Sequence, residues 1–279
     1  MKQLKTGEFY GQTNQTIHLN GITLTDTEYT LDFVDWHYHE NAYFTFILQG
    51  NVIEGNKKEI YNCSAGSLLF HNWQEPHYNI KPKGYTRGFQ IELKNSWFDE
   101  LDFNIDKIQG SIKIANIDVK FFLYKIFKET KIKDSTTALS IQSLILQAFT
   151  EMFRHTNVDL DKKPTWVNRI KEILFYEFSD KLTLDYLSKT LDIHPVHLSR
   201  DFSKYFNCNL GDYLRKLKIE KSYALLSHNE LSLTEIAYEC GFSDQSHFNR
   251  CFKSVNGISP NDFRKIISPN FDYVNSVLF

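Results

Sequence analysis

The 279-residue sequence lacks long apolar segments and contains only four cysteines. No run of about 18 apolar residues occurs, so no membrane-spanning helix is expected. The opening residues MKQLKTGEFYGQ lack the apolar stretch of a secretory signal, which predicts a cytoplasmic protein. None of the cysteines forms a CxxC pair, and this favours reduced thiols over disulfides or a zinc site. The four are Cys63, Cys208, Cys240 and Cys251.

A basic excess is also missing. The whole chain has 32 Lys and Arg against 34 Asp and Glu, a net charge of −2. From Pro164 to Phe279 the two classes number 14 each, so this part carries no net charge. DNA-binding domains are often basic, and any contact with nucleic acid must here depend on where single charges lie. The length suits two domains, and the composition is that of an ordinary globular protein.

The first hundred residues have the pattern of β structure. Short runs rich in aromatic and β-branched residues cover Tyr43–Leu48, Gly66–His71 and Gly88–Leu93. Turn signals such as EGN, NCSAG and KPKG separate these runs at a spacing of about ten residues. The pattern predicts an antiparallel sandwich or small barrel over residues 1–108.

Two helical segments are predicted within residues 109–155. Ala138–Phe153 repeats apolar residues at three- and four-residue steps, as an amphipathic helix does. Asn116–Glu129 is apolar on nearly all sides and needs cover on all sides. A second subunit would supply this cover, which makes the pair a candidate dimerisation element. The alternative is burial between the barrel and the partner helix.

The remaining chain divides into a linker, a helical domain and a tail. The polar stretch TNVDLDKKPT, residues 156–165, fits no period and is predicted to be the linker. Residues 166–267 have a helical pattern throughout, and residues 268–279 form the tail. The predicted helices are Trp166–Phe178, Leu184–Thr190, Pro195–Phe206, Leu210–Ser227, Leu233–Cys240, Asp244–Val255 and Pro260–Ile267.

The helical domain contains an internal repeat at a spacing of fifty residues. A shift of fifty positions places Arg250 on Arg200 and Phe252 on Phe202. The repeated unit is a short helix, a turn, a second helix, another turn and the start of a third helix. Two copies are too few for a solenoid, so the repeat predicts a pair of helix-turn-helix units.

The second helix of each copy has an apolar face and a polar face. The core positions are expected at Leu198, Phe202 and Tyr205, matched by Phe248, Phe252 and Val255. Ser, Asn and Arg on the polar face suit the major groove, because Arg pairs with guanine and Asn with adenine. The helix Leu210–Ser227 would span about 27 Å, close to the roughly 34 Å between successive major-groove faces. The alternative is that the arginines pair with neighbouring acids such as Asp201.

The stretch GFSDQSHFNRCFKSVNGISPNDFR, Gly241–Arg264, resembles the C-terminal signature of AraC/XylS-type transcriptional regulators. This resemblance covers residues 166–267 and implies two reading helices that enter adjacent major grooves. It implies base contacts from Val196, Ser199, Arg200, Gln245, Ser246, Asn249 and Arg250. Phosphate contacts are expected from Lys189, Arg215, Lys216, Lys218, Lys221, Lys253, Arg264 and Lys265. The first copy departs from the family pattern at His194, where a small cap is common, and at Asn207, where glycine is common.

The segments WHYHENAYFTFILQG and NCSAGSLLFHNWQEPHYNI resemble the cupin-type sensor domain that precedes many AraC-type DNA-binding domains. In metal-binding cupins the ligands are the two histidines of HxH, a glutamate about four residues on, and a later histidine. His37, His39 and His77 match three of these positions, whereas Tyr43 or Phe44 stands at that of the glutamate. Three imidazoles can hold a divalent metal. The missing carboxylate nevertheless favours a sensor without metal or another cofactor.

An effector pocket in the barrel mouth is the other use of these residues. Arg87 shares strand parity with Phe89, which suggests that it points inward. An inward arginine beside Tyr43 and Trp73 would suit a carboxylate or phosphate. The alternatives are that Arg87 pairs with an acid at the rim and that Trp73 caps the core. The candidate pocket comprises His37, His39, Tyr43, Trp73, His77 and Arg87.

These features together predict an α+β protein: a cupin-like antiparallel β-barrel with a helical pair, then an all-α domain of about seven helices. The expected function is sequence-specific transcriptional regulation, as an activator controlled by a small molecule in the barrel. Expected partners are promoter DNA, the effector, RNA polymerase and a second copy of the chain. The alternative is a metal-dependent cupin enzyme with a helical appendage, and no catalytic residue is assigned.

Overall fold

The computed structural model describes residues 1–103, 105, 108, 110–132, 134–153, 164–177, 182–227 and 230–268. Contacts divide the chain into one unit of Met1–Ala148 with Ile266–Phe279 and another of Phe149–Lys265. The predicted linker at 156–165 lies outside the described residues except for its last two positions. The predicted tail lies outside them except for position 268. These boundaries stay predictions.

The first unit contains two β-sheets. Their strands are Lys2–Leu4 (β1), Gln12–Leu19 (β2), Ile22–Glu28 (β3), Phe33–His39 (β4), Ala42–Gln49 (β5), Asn51–Asn56 (β6), Ile60–Ser64 (β7), Leu68–His71 (β8), His77–Ile80 (β9), Arg87–Leu93 (β10) and Ser111–Lys113 (β11). One sheet has the order β1-β4-β9-β6-β7, and the other β11-β8-β5-β10-β3-β2. The predicted β domain is confirmed, with antiparallel pairing except between β1 and β4, which run parallel.

Helix α1 (Asn95–Glu100) lies between β10 and β11, and α2 (Ile117–Lys131) and α3 (Thr137–Phe153) follow the last strand. Asn116 caps α2, and its side chain accepts hydrogen bonds from the N–H groups of Asp118 and Val119. β11 pairs with β8 and extends the sheet past position 108, where the sequence placed the end of the barrel. A three-residue strand is too short to show the alternation by which strands are recognised.

α2 packs against the six-stranded sheet. The ring of Tyr124 lies 4.5 Å from that of Phe46, and the ring of Phe127 lies 5.2 Å from that of Phe89. The buried residues of the helix are Ile117, Val119, Phe121, Leu123, Tyr124, Ile126, Phe127 and Thr130. The chain's own sheet therefore covers this helix. This agrees with the alternative in which the helix is buried within one subunit.

Strand register gives the six-stranded sheet two distinct faces. The rows on the side of α2 are Leu24, Ile91 and Phe44, then Asp26, Phe89 and Phe46. The rows on the opposite side, here called the inner face, are Thr23, Glu92 and Tyr43, then Thr25, Gln90 and Thr45, then Thr27, Gly88 and Ile47. Ile47 packs with Val52 and Cys63 of the five-stranded sheet, so the inner face looks toward that sheet.

The C-terminal region is helical. Its helices are Thr165–Glu177 (α4), Leu184–Leu191 (α5), Pro195–Phe206 (α6), Leu210–Leu226 (α7), Leu233–Glu239 (α8), Gln245–Asn256 (α9) and Pro260–Ile267 (α10). All seven helices predicted from the sequence are present, with ends within two residues of the predictions. None of the helices in the described ranges is long and apolar enough to cross a membrane.

The two copies of the repeat bury equivalent side chains. Leu198 and Phe248 are each at most 1% exposed, as are Phe202 and Phe252. The third core position was predicted one residue early, because Phe206 and Asn256 are buried while Tyr205 and Val255 are half-buried. Aromatic packing accounts for this shift in the first copy. Tyr213 of α7 lies edge-on to the rings of both Phe202 and Phe206.

Candidate DNA-binding surface and sensor site

The second helices of the two helix-turn-helix motifs, α6 and α9, are held at both ends by local hydrogen bonds and turns. His194 caps α6 by accepting from the N–H of Val196 at 3.4 Å, and Asp244 caps α9 in the same manner. Asn207 closes α6 at φ 56°, and Gly257 closes α9 at φ 74°. Asparagine adopts the left-handed conformation more readily than most residues with a Cβ. The first helix-turn-helix motif therefore keeps its fold despite both departures from the family pattern.

Five of the seven predicted base-contacting side chains are exposed: Val196, Ser199, Arg200, Ser246 and Arg250. Val196 is 66% exposed, which is unusual for a branched apolar side chain. Gln245 and Asn249 are half-buried, and the side-chain oxygen of Asn249 is buried without a hydrogen bond from the described residues. The two copies thus expose equivalent faces, with a smaller exposed set in α9 than the sequence indicated.

Two of these side chains have partners within the protein. Arg200 donates from Nε to Asp201 at 3.0 Å, and its Nη2 lies 3.3 Å from Nδ1 of His197. The pairing with a neighbouring acid, which the sequence left as an alternative, is therefore present at Arg200. The side-chain oxygen of Gln245 accepts from the hydroxyl of Thr234 at 2.7 Å, which ties α9 to α8.

The residues predicted to contact phosphates differ in their surroundings. Lys189, Lys253 and Lys265 are exposed. Arg264 is half-buried and donates from Nη2 to the carbonyl of Leu231 at 2.8 Å. This contact commits part of its guanidinium to the turn before α8, so Arg264 is poorly placed to be a mobile phosphate ligand.

Two lysines of α7 have a structural role that the sequence did not indicate. Lys218 donates to the carbonyl of Gly241, and Lys221 donates to the carbonyl of Glu239 at 2.9 Å. Cations near the end of a helix satisfy its last carbonyl groups and its dipole. These lysines therefore hold the end of α8, and their assignment to phosphate stays a prediction.

Comparison with known proteins shows what the helical region resembles. The model described as "Helix-turn-helix domain" matches residues 187–266, which contain α6 to α9. The Msm operon regulatory protein of Streptococcus mutans is 25% identical over 250 residues, which is 83% of this chain and 86% of that protein. The HTH-type transcriptional activator RhaS of Escherichia coli is 31% identical over 107 residues, 38% of each chain. The chain is thus similar to AraC-type transcriptional regulators.

The prediction of a DNA-binding regulator, and not an enzyme, is thereby confirmed. Among solved structures, a crystal structure of ToxT from Vibrio cholerae aligns over 90% of this chain and 99% of that chain. The two are 14% identical, with a TM-score of 0.38.

In the N-terminal β domain, the two sheets bring four predicted residues together. His37, His39 and His77 are each 2% exposed, and their candidate ligand atoms lie within 4.8 Å of one another. The hydroxyl of Tyr43 lies 3.0 Å from Nε2 of His77. The parity of HxH on β4 and the register of β4 with β9 place these side chains between the sheets.

These histidines are held as neutral rings. Nδ1 of His37 lies 2.9 Å from the carbonyl oxygen of Asp35, and Nδ1 of His77 lies 3.1 Å from that of Glu75. Since a carbonyl only accepts, both Nδ1 atoms carry the proton and both Nε2 atoms carry a lone pair. Burial lowers the pKa of His77 to about 3 and also lowers the pKa of His37 and of His39.

The histidine set fits a divalent transition metal in part. Backbone carbonyls that fix the tautomer are typical of metal-binding histidines, and three nitrogens suit an open zinc site. Tyr43, however, offers a hydroxyl proton to Nε2 of His77, where the cupin pattern would have a carboxylate ligand. A metal at this position would have to displace that hydrogen bond.

Arg87 is not part of this site, which corrects the prediction. It lies on the side of α2, with its guanidinium carbon 5.4 Å from the ring centre of Phe127. Nε and Nη2 donate to the two carboxylate oxygens of Asp26 at 2.7 and 2.6 Å. Arg87 was predicted to point into the barrel because it shares a strand face with Phe89. Because β10 is buried on both faces, a buried neighbour on one face does not identify the barrel interior. Trp73 is 40% exposed and therefore does not cap the core.

The polar lining of the inner face was not predicted from the sequence. His71 stacks on Tyr43 with ring centres 4.3 Å apart, and its Nδ1 lies 2.8 Å from the hydroxyl of Ser111. Its Nε2 lies 3.4 Å from Glu54, a contact without hydrogen-bond geometry. Burial raises the pKa of Glu54 to about 8. The strand sequence ITLTDTE places threonine at every second position of β3, and this alternation could have revealed the polar face.

Proposed function

We propose that this AraC-type protein is a one-component transcriptional activator whose sensor domain binds a small molecule and controls binding to promoter DNA. The observation that carries the proposal is the pair of matched helices α6 and α9, with equivalent cores and polar faces. Access to promoter DNA requires a location in the bacterial cytoplasm. RNA polymerase is the partner that an activator requires.

The base-reading residues proposed for α6 are Val196, Ser199 and Arg200, and those for α9 are Gln245, Ser246, Asn249 and Arg250. Their position near the N-terminal ends of the helices supports this role, because reading helices present that part to base edges. Val196 offers an apolar contact, as to a thymine methyl group. Lys189, Lys253 and Lys265 are proposed to contact phosphates.

Selection of bound sequences from random DNA tests this proposal directly. We expect a bipartite site whose two halves lie about one helical turn apart. Arg250→Ala should relax the preference in one half, and Ser199→Ala should alter the other. Recovery of sequences without any shared motif would contradict sequence-specific recognition.

The proposed homodimer uses α3. Leu139 is 70% exposed and Leu146 is 41% exposed, and the two lie two turns apart on this helix. A second copy of the same face would cover both. Light scattering should show a dimer that the double substitution Leu139→Glu, Leu146→Glu converts to a monomer, whereas Gln147→Glu on the same helix should not. A strict monomer on and off DNA would contradict the dimer.

The histidine set supports a second candidate, in which a divalent metal takes part in sensing. His37, His39 and His77 would hold the ion through nitrogen atoms. Purified protein should then contain near one equivalent of metal, and His39→Ala should lose it while keeping its circular dichroism spectrum. Metal-free protein that retains full effector-dependent binding to DNA would eliminate this candidate.

A further inference from the structure

Arg200, which is proposed to read a base from α6, has one edge of its guanidinium group occupied by neighbouring side chains. Its Nε donates to Oδ1 of Asp201 at 3.0 Å, and its Nη2 lies 3.3 Å from Nδ1 of His197. Since arginine only donates hydrogen bonds, Nδ1 of His197 is the acceptor and the ring proton lies on Nε2. Nε and Nη2 form one edge of the planar guanidinium group, so Asp201 and His197 together fill that edge.

The end of the guanidinium group remains available. Arginine has five N–H donors in a fixed arrangement, and the two contacts use that of Nε and one of those on Nη2. The remaining donors lie on Nη1 and Nη2, at the end of a side chain that is 68% exposed. Guanine presents two acceptors, O6 and N7, which fit such a pair of donors. The contacts within the protein therefore leave Arg200 able to bind a base and fix the edge that it presents.

The contact with Asp201 contributes little to the stability of the fold. The side chain of Asp201 is 36% exposed, and ion pairs between exposed side chains add little to the free energy of unfolding. The hydrogen bond from Arg200 lowers the pKa of Asp201, so the carboxylate is ionised at neutral pH. A negative charge on a helix that reads DNA is by itself unfavourable, because the phosphates repel it. Orientation of Arg200 is a role that accounts for an acid at this position.

The second helix-turn-helix motif lacks this arrangement. Arg250 occupies the position that matches Arg200, but it makes no hydrogen bond or ion pair with the described residues. The residue after Arg250 is Cys251, and burial raises the pKa of its thiol, so it carries no negative charge at neutral pH. Nδ1 of His247, which matches the histidine of α6, lies 3.4 Å from the hydroxyl of Ser243. Within the described residues, the arginine of α6 is thus held by its neighbours and that of α9 is not.

We propose that Asp201 and His197 are positioning residues that make Arg200 a reader of guanine rather than a ligand of phosphate. The inference rests on the proposed function, because it assigns a base preference to one residue of a proposed reading helix. A side chain that is already held loses less conformational freedom on binding, and preorganised groups bind more tightly for this reason. An arginine released from both contacts can turn either edge to a nearby phosphate, and a phosphate contact carries no sequence information.

Asp201→Ala tests the role of the carboxylate. Sequences selected by the native protein and by Arg200→Ala are compared first, and the base position at which they differ is the one that Arg200 reads. Fluorescence anisotropy then gives affinities for selected DNA, for DNA with that base replaced, and for scrambled DNA. We expect Asp201→Ala to reduce discrimination at this base by about fivefold. Binding to scrambled DNA should strengthen, and the slope of log affinity against log salt should steepen by about one, because the released arginine contacts phosphate.

Asp201→Asn is the matched control. It removes the same charge as Asp201→Ala but keeps an acceptor oxygen for Nε of Arg200, so it should retain more of the discrimination. Equal discrimination in the two variants would attribute the effect to charge alone and contradict positioning. His197→Ala removes the acceptor for Nη2 and should also lower discrimination at the same base. Circular dichroism checks that each variant is folded, and His197→Ala provides the same measurement should Asp201→Ala not fold.

The double variant Arg200→Ala, Asp201→Ala shows whether Asp201 acts through Arg200. If it does, replacing Asp201 has no further effect on base preference once Arg200 is absent. An equal effect with and without Arg200 would overturn the inference.

The same measurements separate this inference from the proposed function. Specific binding by the native protein, with unchanged discrimination in Asp201→Ala, would leave the regulator in place and remove only the positioning role. Native protein that binds selected and scrambled DNA equally would contradict the proposed function and this inference together.

Discussion

Replacing Asp26 by asparagine tests the charge cluster that joins the sheet to α2. In the native protein its carboxylate accepts two hydrogen bonds from Arg87 and one from Lys131 at 2.8 Å. The side chains of Asp26, Arg87 and Lys131 are 2%, 3% and 11% exposed. Asp26→Asn leaves two cations without an anion in this buried place, whereas Arg87→Met or Lys131→Met leaves one cation with one anion.

The charge balance sets the expected order of destabilisation. Removing one partner of a buried ion pair typically costs about 3–5 kcal/mol, because the remaining charge is left uncompensated. Asp26→Asn should reach the upper part of that range. Arg87→Met should cost less, because Asp26 keeps Lys131. Lys131→Met should cost least, because Asp26 and Arg87 keep their two hydrogen bonds. Lys131 is also the most exposed of the three side chains.

Acidification provides a second check. Burial alone would raise the pKa of Asp26, but the hydrogen bonds and charges of Arg87 and Lys131 outweigh burial and lower it below 3.8. A lowered pKa in the folded state contributes stability that is present above the unfolded-state pKa and is lost as pH falls through the folded-state value. The gap between the native protein and Asp26→Asn should therefore be full at pH 7 and shrink below about pH 4.

Urea denaturation, followed by circular dichroism, measures these differences in the free energy of unfolding. Gln15→Leu is a useful control, since its side-chain oxygen contacts Lys131 without carrying charge. An Asp26→Asn protein within about 1 kcal/mol of the native one would refute the reasoning, as would a larger loss in Lys131→Met.

Three further predictions concern DNA binding and its scaffold. Arg250→Ala should weaken specific binding by about 1–3 kcal/mol with an unchanged melting temperature, as measured by fluorescence anisotropy on selected and scrambled DNA; an equal loss on both would contradict base reading. Lys253→Ala should weaken binding to both alike and reduce the slope of log affinity against log salt by about one, so an unchanged slope would argue against a phosphate contact. Ser232 and Glu235 form a reciprocal cap on α8, and Ser232→Ala should lower the free energy of unfolding by about 1 kcal/mol in urea titrations, with no change expected for the exposed Ser199→Ala.

The helical region was the most predictable part of the fold because its signals are local. Caps such as Ser232 and Asp244, and apolar residues at three- and four-residue steps, depend on neighbours within one turn. The internal repeat added a second, independent copy of the same pattern. Tyr205 was predicted as the third core position in place of Phe206, because the contact with Tyr213 of α7, which the sequence of α6 does not show, decides which of the two is buried.

The sensor site was less predictable because it depends on pairing between distant strands. The HxH motif placed His37 and His39 correctly beside His77. Arg87 was misplaced, because a strand covered on both faces has no polar side by which to identify the interior. Glu54 was not predicted at all, since its position opposite His71 arises from the packing of one sheet on the other.

Alternate side chains along β3 and β10 lie on opposite faces of the sheet and have different contacts. One set of side chains anchors α2, and the intervening set lines the inner face. Substitutions in the second set leave the aromatic contacts with the helix in place. A domain built in this manner can exchange a few neighbouring threonines or amides on one face without rebuilding the aromatic packing on the other.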